Sequence, residues 1–417
     1  MIVPSIDIVD GGTVQLIGGE EKALDAGDPT EVLDRFSVAG EVAVVDIDAA
    51  RGEGDNRDLL LDLCQRASIR VGGGIRTQEQ ALDWLDAGAE KVVIGTAADE
   101  EFLSALPPER VIVALDARHG EVVTHGWRRG TGRELVDSIT RFRDLCGGFL
   151  VTFVEREGRL GGTDLEMANR VVAASGSASM TIAGGITEAN EIATLDRIGA
   201  DAQVGMALYT GRLSLGDALA APLQSDRSDG LWPTVVVDEH GVALGMAWSS
   251  RESLGQAVAT RRGVYHSRKR GIWVKGETSG ATQELIRVDA DCDRDTLRFT
   301  VRQREGFCHR GTRTCWGEDR GLARLERRLA SIGTERPEGS NTVRLFDDPT
   351  LVDTKLLEEA GELTSPNADI AAEAADLLYF ALVKSVAAGI SLEEIERILE
   401  VRERRVRRRP MESKESK

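Results

Sequence analysis

The chain has 417 residues, too many for one hydrophobic core, so two to four domains are expected. A hydrophobic content of 41% with 29% charged residues fits a soluble globular protein, and a net charge of −18 argues against nucleic-acid binding. No apolar run approaches a membrane span and the first residues lack signal-peptide features, so a cytoplasmic location with reduced cysteines is expected. Residues 1–218 alternate short β-branched runs with amphipathic helical stretches, which predicts βα units and a parallel sheet. Strands are expected near 2–8, 42–48, 69–73, 91–96, 111–117, 149–154, 180–184 and 202–207. Eight such units in this length fit a (β/α)8 barrel.

The halves of this segment resemble each other. Ser5-Ile6-Asp7-Ile8 answers Ala114-Leu115-Asp116-Ala117, Gly73-Gly74-Ile75 answers Gly184-Gly185-Ile186, and Ile94-Gly95-Thr96-Ala97 answers Val204-Gly205-Met206-Ala207. The offsets are 109, 111 and 110 residues, which marks an internal repeat. Glycine turns at the ends of strands three and four, and of seven and eight, expose backbone N–H groups where a phosphate can dock. Two such sites on opposite rims suit a substrate with a phosphate at each end. Asp7 and Asp116 are expected to face each other across the mouth and to divide acid and base roles. The plain alternative is that the glycines only make tight turns and the aspartates only cap helices.

Through Ser5-Ile-Asp7-Ile-Val-Asp-Gly11, Val71-Gly-Gly-Gly-Ile-Arg76, Leu115-Asp116-Ala-Arg118 and Thr152, this segment resembles the ProFAR isomerase family of histidine biosynthesis. That family carries out an Amadori rearrangement of an aminoaldose to an aminoketose. The resemblance implies Asp7 as base at the sugar carbon, Asp116 as acid opening the furanose, and Thr152 as a helper. It also implies phosphate contacts at Gly73, Gly74, Gly95, Thr96, Gly184, Gly185 and Gly205, with Trp127 stacking on the imidazole ring. After strand six the family has Asp-Gly-Thr, whereas Glu157-Gly158-Arg159 stands here.

Residues 215–220 are expected to be the last barrel helix and 222–230 a polar linker, which bounds the barrel at 1–221. From Trp232 closely spaced strands at 233–237, 242–248 and 264–267 predict a small α+β, β-rich domain over 231–318. Its run Asp289-Ala-Asp291-Cys292-Asp293-Arg-Asp295, read as a strand, puts the aspartates on one face and Cys292 on the other. Carboxylates suit Mg²⁺ and a thiolate suits Zn²⁺. With Cys308 and Cys315, three protein ligands leave the fourth position of a catalytic zinc open. The alternative is a solvated acidic turn beside two core cysteines, and Cys64 and Cys146 elsewhere are expected to pack in cores.

Through Tyr265-His-Ser-Arg268, Lys275-Gly276-Glu277-Thr278-Ser279-Gly280, the Asp291 run and Cys308-His309…Cys315, the domain resembles phosphoribosyl-AMP cyclohydrolase. The resemblance implies Zn²⁺ on Cys292, Cys308 and Cys315, and Mg²⁺ on Asp291, Asp293 and Asp295. Phosphate anchoring falls to Arg268, Lys275 and the loop Gly276, Glu277, Thr278, Ser279 and Gly280. In this family the zinc ligands come from two chains, which implies a homodimer. For His309, hydrogen bonding to a ligand and catalysis both stay open.

The remainder, 319–410, reads as an all-α domain followed by a disordered tail over 411–417. Glu358, Glu359 and Glu362 fall on one helix, and Glu373 and Asp376 on the next. Spacings of three put Glu359 with Glu362, and Glu373 with Asp376, on single helical faces. Packed antiparallel, the two helices gather carboxylates for Mg²⁺, and the apolar neighbours of Glu373 and Asp376 call for a compensating partner. With Ser340-Asn-Thr-Val-Arg344, Lys355 and Tyr379, this stretch resembles phosphoribosyl-ATP pyrophosphohydrolase, which implies phosphate contacts at Arg344 and Lys355. The three reactions are consecutive, so the main expectation is a trifunctional histidine-biosynthesis enzyme acting on phosphoribosyl nucleotides. The alternative is a bifunctional hydrolase with the barrel as a non-catalytic scaffold.

Overall fold

The computed structural model describes residues 1–19 and 21–407; the expected tail at 411–417 and the end of the basic run 402–409 lie outside the described residues. Two compact units emerge. Residues 1–238, 243–305 and 401–407 form the first, and 239–242 with 306–400 form the second.

In the first unit eight parallel strands form a closed barrel: β1 Ile2–Val9, β2 Val42–Asp46, β3 Ile69–Gly72, β4 Lys91–Ile94, β5 Val111–Arg118, β6 Gly148–Phe153, β7 Ser179–Ala183 and β8 Ala200–Val204. Each strand pairs with the next in sequence, and β8 returns to β1. Strands buried on both faces need unbroken apolar runs, and β6 is buried at every position. β2 ends at Asp46, short of the expected 48, because the Asp46 carboxylate accepts the amide of Ala49 and caps the helix Ile47–Arg51. β8 likewise stops at Val204, where Gly205 opens the short helix Met206–Tyr209. Hairpins extend from β1 (Gly12–Ile17 with Glu21–Gly27) and from β5 (Glu121–Thr124 with Arg129–Glu134), so the repeat includes its insertions. Cys64 and Cys146 are buried, as core residues should be.

Among the buried polar side chains, Arg70 on β3 reaches Glu41 at 2.5 Å and donates to Thr181 Oγ1 on β7 at 2.9 Å. Those two positions are 111 residues apart, the repeat offset. Burial works against the Glu41 carboxylate, but Arg70 and Lys91 outweigh it and hold its pKa below the usual range.

The barrel closes with α1 Leu215–Ala220. The expected linker is fastened down. Trp232 Nε1 donates to the Gln224 carbonyl at 2.7 Å, and the Arg227 guanidinium lies 4.1 Å from the Trp248 ring centroid. Next come β9 Trp232–Asp238, β10 Ala243–Ser249, α2 Arg251–Thr260, β11 Val264–Ser267, β12 Gly271–Val274, β13 Gln283–Ala290 and β14 Leu297–Gln303. They form a four-stranded sheet in the order β10-β9-β14-β13 and a separate β11–β12 hairpin. Arg294 pairs with Asp196 of the barrel, at 3.1 Å.

The second unit is helical: α3 Leu322–Glu335, α4 Asn341–Asp347, α5 Pro349–Leu363, α6 Ile370–Ala387 and most of α7 Leu392–Glu403. Leu329, Leu345, Val352, Leu382 and Val383 make its small core. The short segment 239–242 belongs to this unit, and its His240 ring lies 2.7 Å from a Glu396 carboxylate oxygen and 3.9 Å from Glu326. No single helix among the described residues is long and apolar enough to cross a membrane.

Candidate active sites

The C-terminal ends of the barrel strands open into a cavity of about 920 Å³. Asp7 from β1, Asp116 from β5 and Thr152 from β6 line it. So do Gly73, Gly74, Gly95 and Thr96 on one side and Gly184, Gly185 and Gly205 on the other. At Gly74 (φ +68°) an added Cβ would lie 2.6 Å from the Ala49 Cβ. At its repeat partner Gly185 (φ +80°) it would lie 2.5 Å from the Gly162 carbonyl oxygen. Only glycine fits these left-handed turns.

The carboxylates here are strongly perturbed. Burial pushes Asp7 up to about 7. Burial also raises Asp116, although side-chain hydrogen bonds from Trp127 and Thr152 partly hold its charged form. The third member is Glu157, which follows the single 3-10 turn Val154–Arg156 after β6. Burial, and then the charges of Asp7 and Asp116, raise it to about 7. Sequence reading placed Glu157 only as a departure from the family motif. Its place in the loop that follows a barrel strand at the mouth was the available signal. Arg159, the other departure, does not line this mouth; it borders a separate cavity of about 390 Å³ with Arg156 and His119. Trp127 adopts φ +67° and packs on Gly19, where a Cβ would lie 2.6 Å from the indole ring.

In the cyclohydrolase-like region the expected strand carrying the aspartates ends at Ala290, and Asp291 to Asp295 form a turn. The reason is local. One Asp291 carboxylate oxygen accepts the amides of Asp295 and Thr296 at 3.1 and 3.0 Å, and Arg294 takes a left-handed φ of +65°. Burial opposes charge on Asp291, yet these amides prevail and lower its pKa. The turn still brings Asp291, Asp293 and Asp295 together, with ligand oxygens within 4.8 Å of one another. Three such oxygens fit a hard divalent cation. Cys292 is exposed on the same turn in the first unit, whereas Cys308 and Cys315 belong to the second. The Arg310 amide, foremost, and a hydrogen bond with Cys315 lower the Cys308 pKa, which favours a thiolate. His309 Nδ1 is 3.9 Å from the Cys308 sulfur. Lys275 is buried at the start of the turn 275–280, and Arg268 lies over Trp248.

In the helical unit α5 packs on α6 and brings Glu359, Glu362 and Glu373 within 4.8 Å. Burial first, then Glu362 and Asp376, raise the Glu359 pKa; burial and Glu362 raise that of Glu373. Mutually repelling carboxylates of this kind fit a divalent cation, which relieves the repulsion. Glu358 turns instead to Lys355, at 2.8 Å, and Asp376, outside the gathered trio, adds charge that raises Glu359 and Glu373. Arg344 is exposed on α4.

Comparison with known proteins matches three family models in order: histidine biosynthesis protein over residues 1–214, phosphoribosyl-AMP cyclohydrolase over 245–317, and phosphoribosyl-ATP pyrophosphohydrolase over 322–403. A histidine biosynthesis trifunctional protein of Neurospora crassa is 40% identical over 348 residues, 79% of this chain and 36% of that protein. A histidine biosynthesis bifunctional protein of Schizosaccharomyces pombe is 47% identical over 206 residues, 49% of each chain. An imidazole-4-carboxamide isomerase of Haloarcula marismortui is 40% identical over 237 residues, 53% of this chain and 95% of that protein. The chain spans a quarter to a half of the length of the fungal relatives it matches, at 36%, 49% and 24% for three of them. With its first 214 residues matched and nearly all of the Haloarcula isomerase covered, the chain belongs to the histidine biosynthesis protein family.

Proposed function

We propose that the chain is a trifunctional enzyme of consecutive steps: pyrophosphate release from phosphoribosyl-ATP, hydrolytic opening of the purine ring of phosphoribosyl-AMP, and isomerisation of the resulting aminoaldose to an aminoketose. The observation that carries the isomerase reading is the convergence of Asp7, Asp116 and Glu157 in one cavity between two glycine rims. A carboxyl near pKa 7 can both take and return a proton at neutral pH, which suits Asp7 to moving a proton between adjacent sugar carbons. Asp116, held by Trp127 and Thr152, is placed to protonate the ring oxygen as the furanose opens. The glycine turns position the two phosphate ends.

In the cyclohydrolase step, Cys292, Cys308 and Cys315 would hold Zn²⁺, whose chemistry there would be to make a water acidic enough to attack at neutral pH. Arg268 and Lys275 orient the phosphate, and Asp291, Asp293 and Asp295 hold Mg²⁺. In the pyrophosphohydrolase step Glu359, Glu362 and Glu373, with Glu358 and Asp376 beside them, hold Mg²⁺, and Lys355 and Arg344 meet the phosphates. A homodimer through the cyclohydrolase region and a cytoplasmic location complete the reading.

The rival, a scaffold barrel, draws on Glu157-Gly158-Arg159 standing where the family usually has Asp-Gly-Thr. Feeding phosphoribosyl-ATP with Mg²⁺ and Zn²⁺ decides between them. The trifunctional reading expects the aminoketose, and expects Asp7→Asn to stop the sequence at the aminoaldose. Accumulation of the aminoaldose by the unaltered protein overturns it in favour of the scaffold.

A further inference from the structure

The turn carrying Lys275 and the glycine-flanked residues 276–280 has no regular secondary structure of its own, so something else must fix it. Its entry is pinned by the Lys275 amide on the Gly263 carbonyl at 2.8 Å, and its middle closes through the Gly280 amide on Gly276 at 2.9 Å. Its exit is held by the backbone, with the Thr282 amide on the Gly280 carbonyl at 2.8 Å and the Arg304 amide on the Thr282 carbonyl at 3.0 Å, and by one side chain. Gln303 Nε2 donates to the carbonyls of Ala281 at 3.4 Å, Thr282 at 3.5 Å and Arg304 at 2.5 Å. Gln303 Oε1 in turn accepts from Gln283 Nε2 at 2.8 Å, and Gln283 Oε1 accepts from the Tyr265 hydroxyl at 2.7 Å.

All three side chains are at least nine-tenths buried, at 0%, 3% and 8% exposure for Tyr265, Gln283 and Gln303. Gln283 and Gln303 are directly opposed across β13 and β14. Tyr265 stands on β11, two residues before Ser267 and three before Arg268. The hydrogen bonds all point in one direction, so their chain runs from β11, which ends just before Arg268, to the end of the Lys275 turn. Buried polar groups cost stability unless each is satisfied, and an apolar trio would pack here without that requirement. What the polar trio adds is a fixed placement of the exit of the Lys275 turn against β11.

We infer that Tyr265, Gln283 and Gln303 form a hydrogen-bond relay that registers the Lys275–Gly280 turn against Arg268, and are positioning residues for the phosphate of the ring-opening substrate. The inference rests on the cyclohydrolase reading. Gln303→Met keeps the bulk of the side chain and removes both of its hydrogen-bonding ends. Losing a bond of this kind costs about a factor of ten, so KM for phosphoribosyl-AMP rises roughly tenfold while kcat stays within about twofold. Tyr265→Phe raises KM less, and the double variant is no worse than Gln303→Met alone because the bonds act in series.

A purely structural role predicts the opposite split: fewer active molecules, hence lower kcat at unchanged KM. Hydrogen exchange gives a second readout without turnover. The amides of 276–282 exchange faster in Gln303→Met, while those of 297–302 keep their protection. Unchanged KM in both single variants, or exchange that rises equally in the turn and the strand, overturns the relay. Absence of ring opening by the unaltered, zinc-loaded protein would instead sink the cyclohydrolase reading, and the exchange experiment would then judge the relay alone.

Discussion

Glu157 sits where burial and two neighbouring carboxylates both oppose its charge. Its carboxyl is raised to about 7 by burial and by Asp7 and Asp116, so near neutrality the mouth holds fewer than three negative charges. Repulsion between carboxylates is reciprocal, so Glu157→Gln removes charge that also opposes ionisation of Asp7. We expect the rise of isomerase kcat/KM with pH, centred near 7 by Asp7, to move to lower pH in this variant. Its kcat should fall by about a hundredfold or more, the usual scale for a group in proton transfer. Stability should move the other way. The folded chain holds a proton on Glu157 that the unfolded chain releases above about pH 4.5, so stability falls between that pH and about 7. Glu157→Gln removes this loss, and its melting temperature at pH 8 should exceed that of the parent by an amount worth up to about 3 kcal/mol. Equal melting temperatures together with an unshifted pH profile would show that Glu157 feels neither burial nor its neighbours. At Gly185 a methyl group meets the Gly162 carbonyl, and the left-handed backbone adds about 1 kcal/mol of strain. Gly185→Ala should therefore raise isomerase KM, read by steady-state kinetics, while pyrophosphate release is unchanged.

At the scale of elements, legibility followed periodicity. Eight apolar runs at βα spacing mark eight strands because strands buried on both faces leave no polar alternation to confuse the pattern. The doubled Asp and Gly-Gly signals located the mouth because the same backbone turns recur about 110 residues apart. Alternation misled at Asp291 to Asp295, where period-two aspartates read as a strand. Asp291 bonds its own downstream amides there, and side-chain capping of the backbone favours a turn over a ladder. The helical carboxylates were legible from i, i+3 spacing, but the pairing of Glu358 with Lys355 depends on rotamers that spacing does not encode. Arg70 was not legible at all: a basic residue inside the strand pattern has meaning only once β7 brings Thr181 opposite. Removing one partner of a buried ion pair typically costs about 3 kcal/mol, so Arg70→Ala should lower the urea midpoint markedly. Activity per folded molecule should hold, since the proposed catalytic side chains Asp7 and Asp116 are carried at the other ends of the strands. A variant as stable as the parent would mean that Lys91 alone satisfies Glu41.

Across the whole molecule the three proposed reactions differ in what they demand of the residues that serve them. Among the described residues two groups gather three potential metal ligands, the Asp291 turn and the Glu359 cluster, and neither belongs to the barrel mouth. The barrel acids instead differ in environment, Asp7 shifted by burial and Asp116 by burial against hydrogen bonds from Trp127 and Thr152, an arrangement suited to moving protons. The activities should therefore come apart on chelation. After dialysis against a strong chelator, pyrophosphate release and ring opening should both fall below about 1% of their starting rates, because ligand carboxylates left without an ion repel the substrate's phosphates. Isomerisation of supplied aminoaldose should continue at its original rate. Restoring Mg²⁺ alone should return pyrophosphate release, so that phosphoribosyl-ATP is converted to phosphoribosyl-AMP and no further. Adding Zn²⁺ should then carry the material on to the aminoketose, and chromatography of the nucleotide pool distinguishes the stages. Loss of isomerase turnover on chelation, reversed by either ion, would place a metal among Asp7, Asp116 and Glu157 and replace the proton-transfer account. Ring opening restored by Mg²⁺ alone would remove the thiolates of Cys308 and Cys315 from the chemistry.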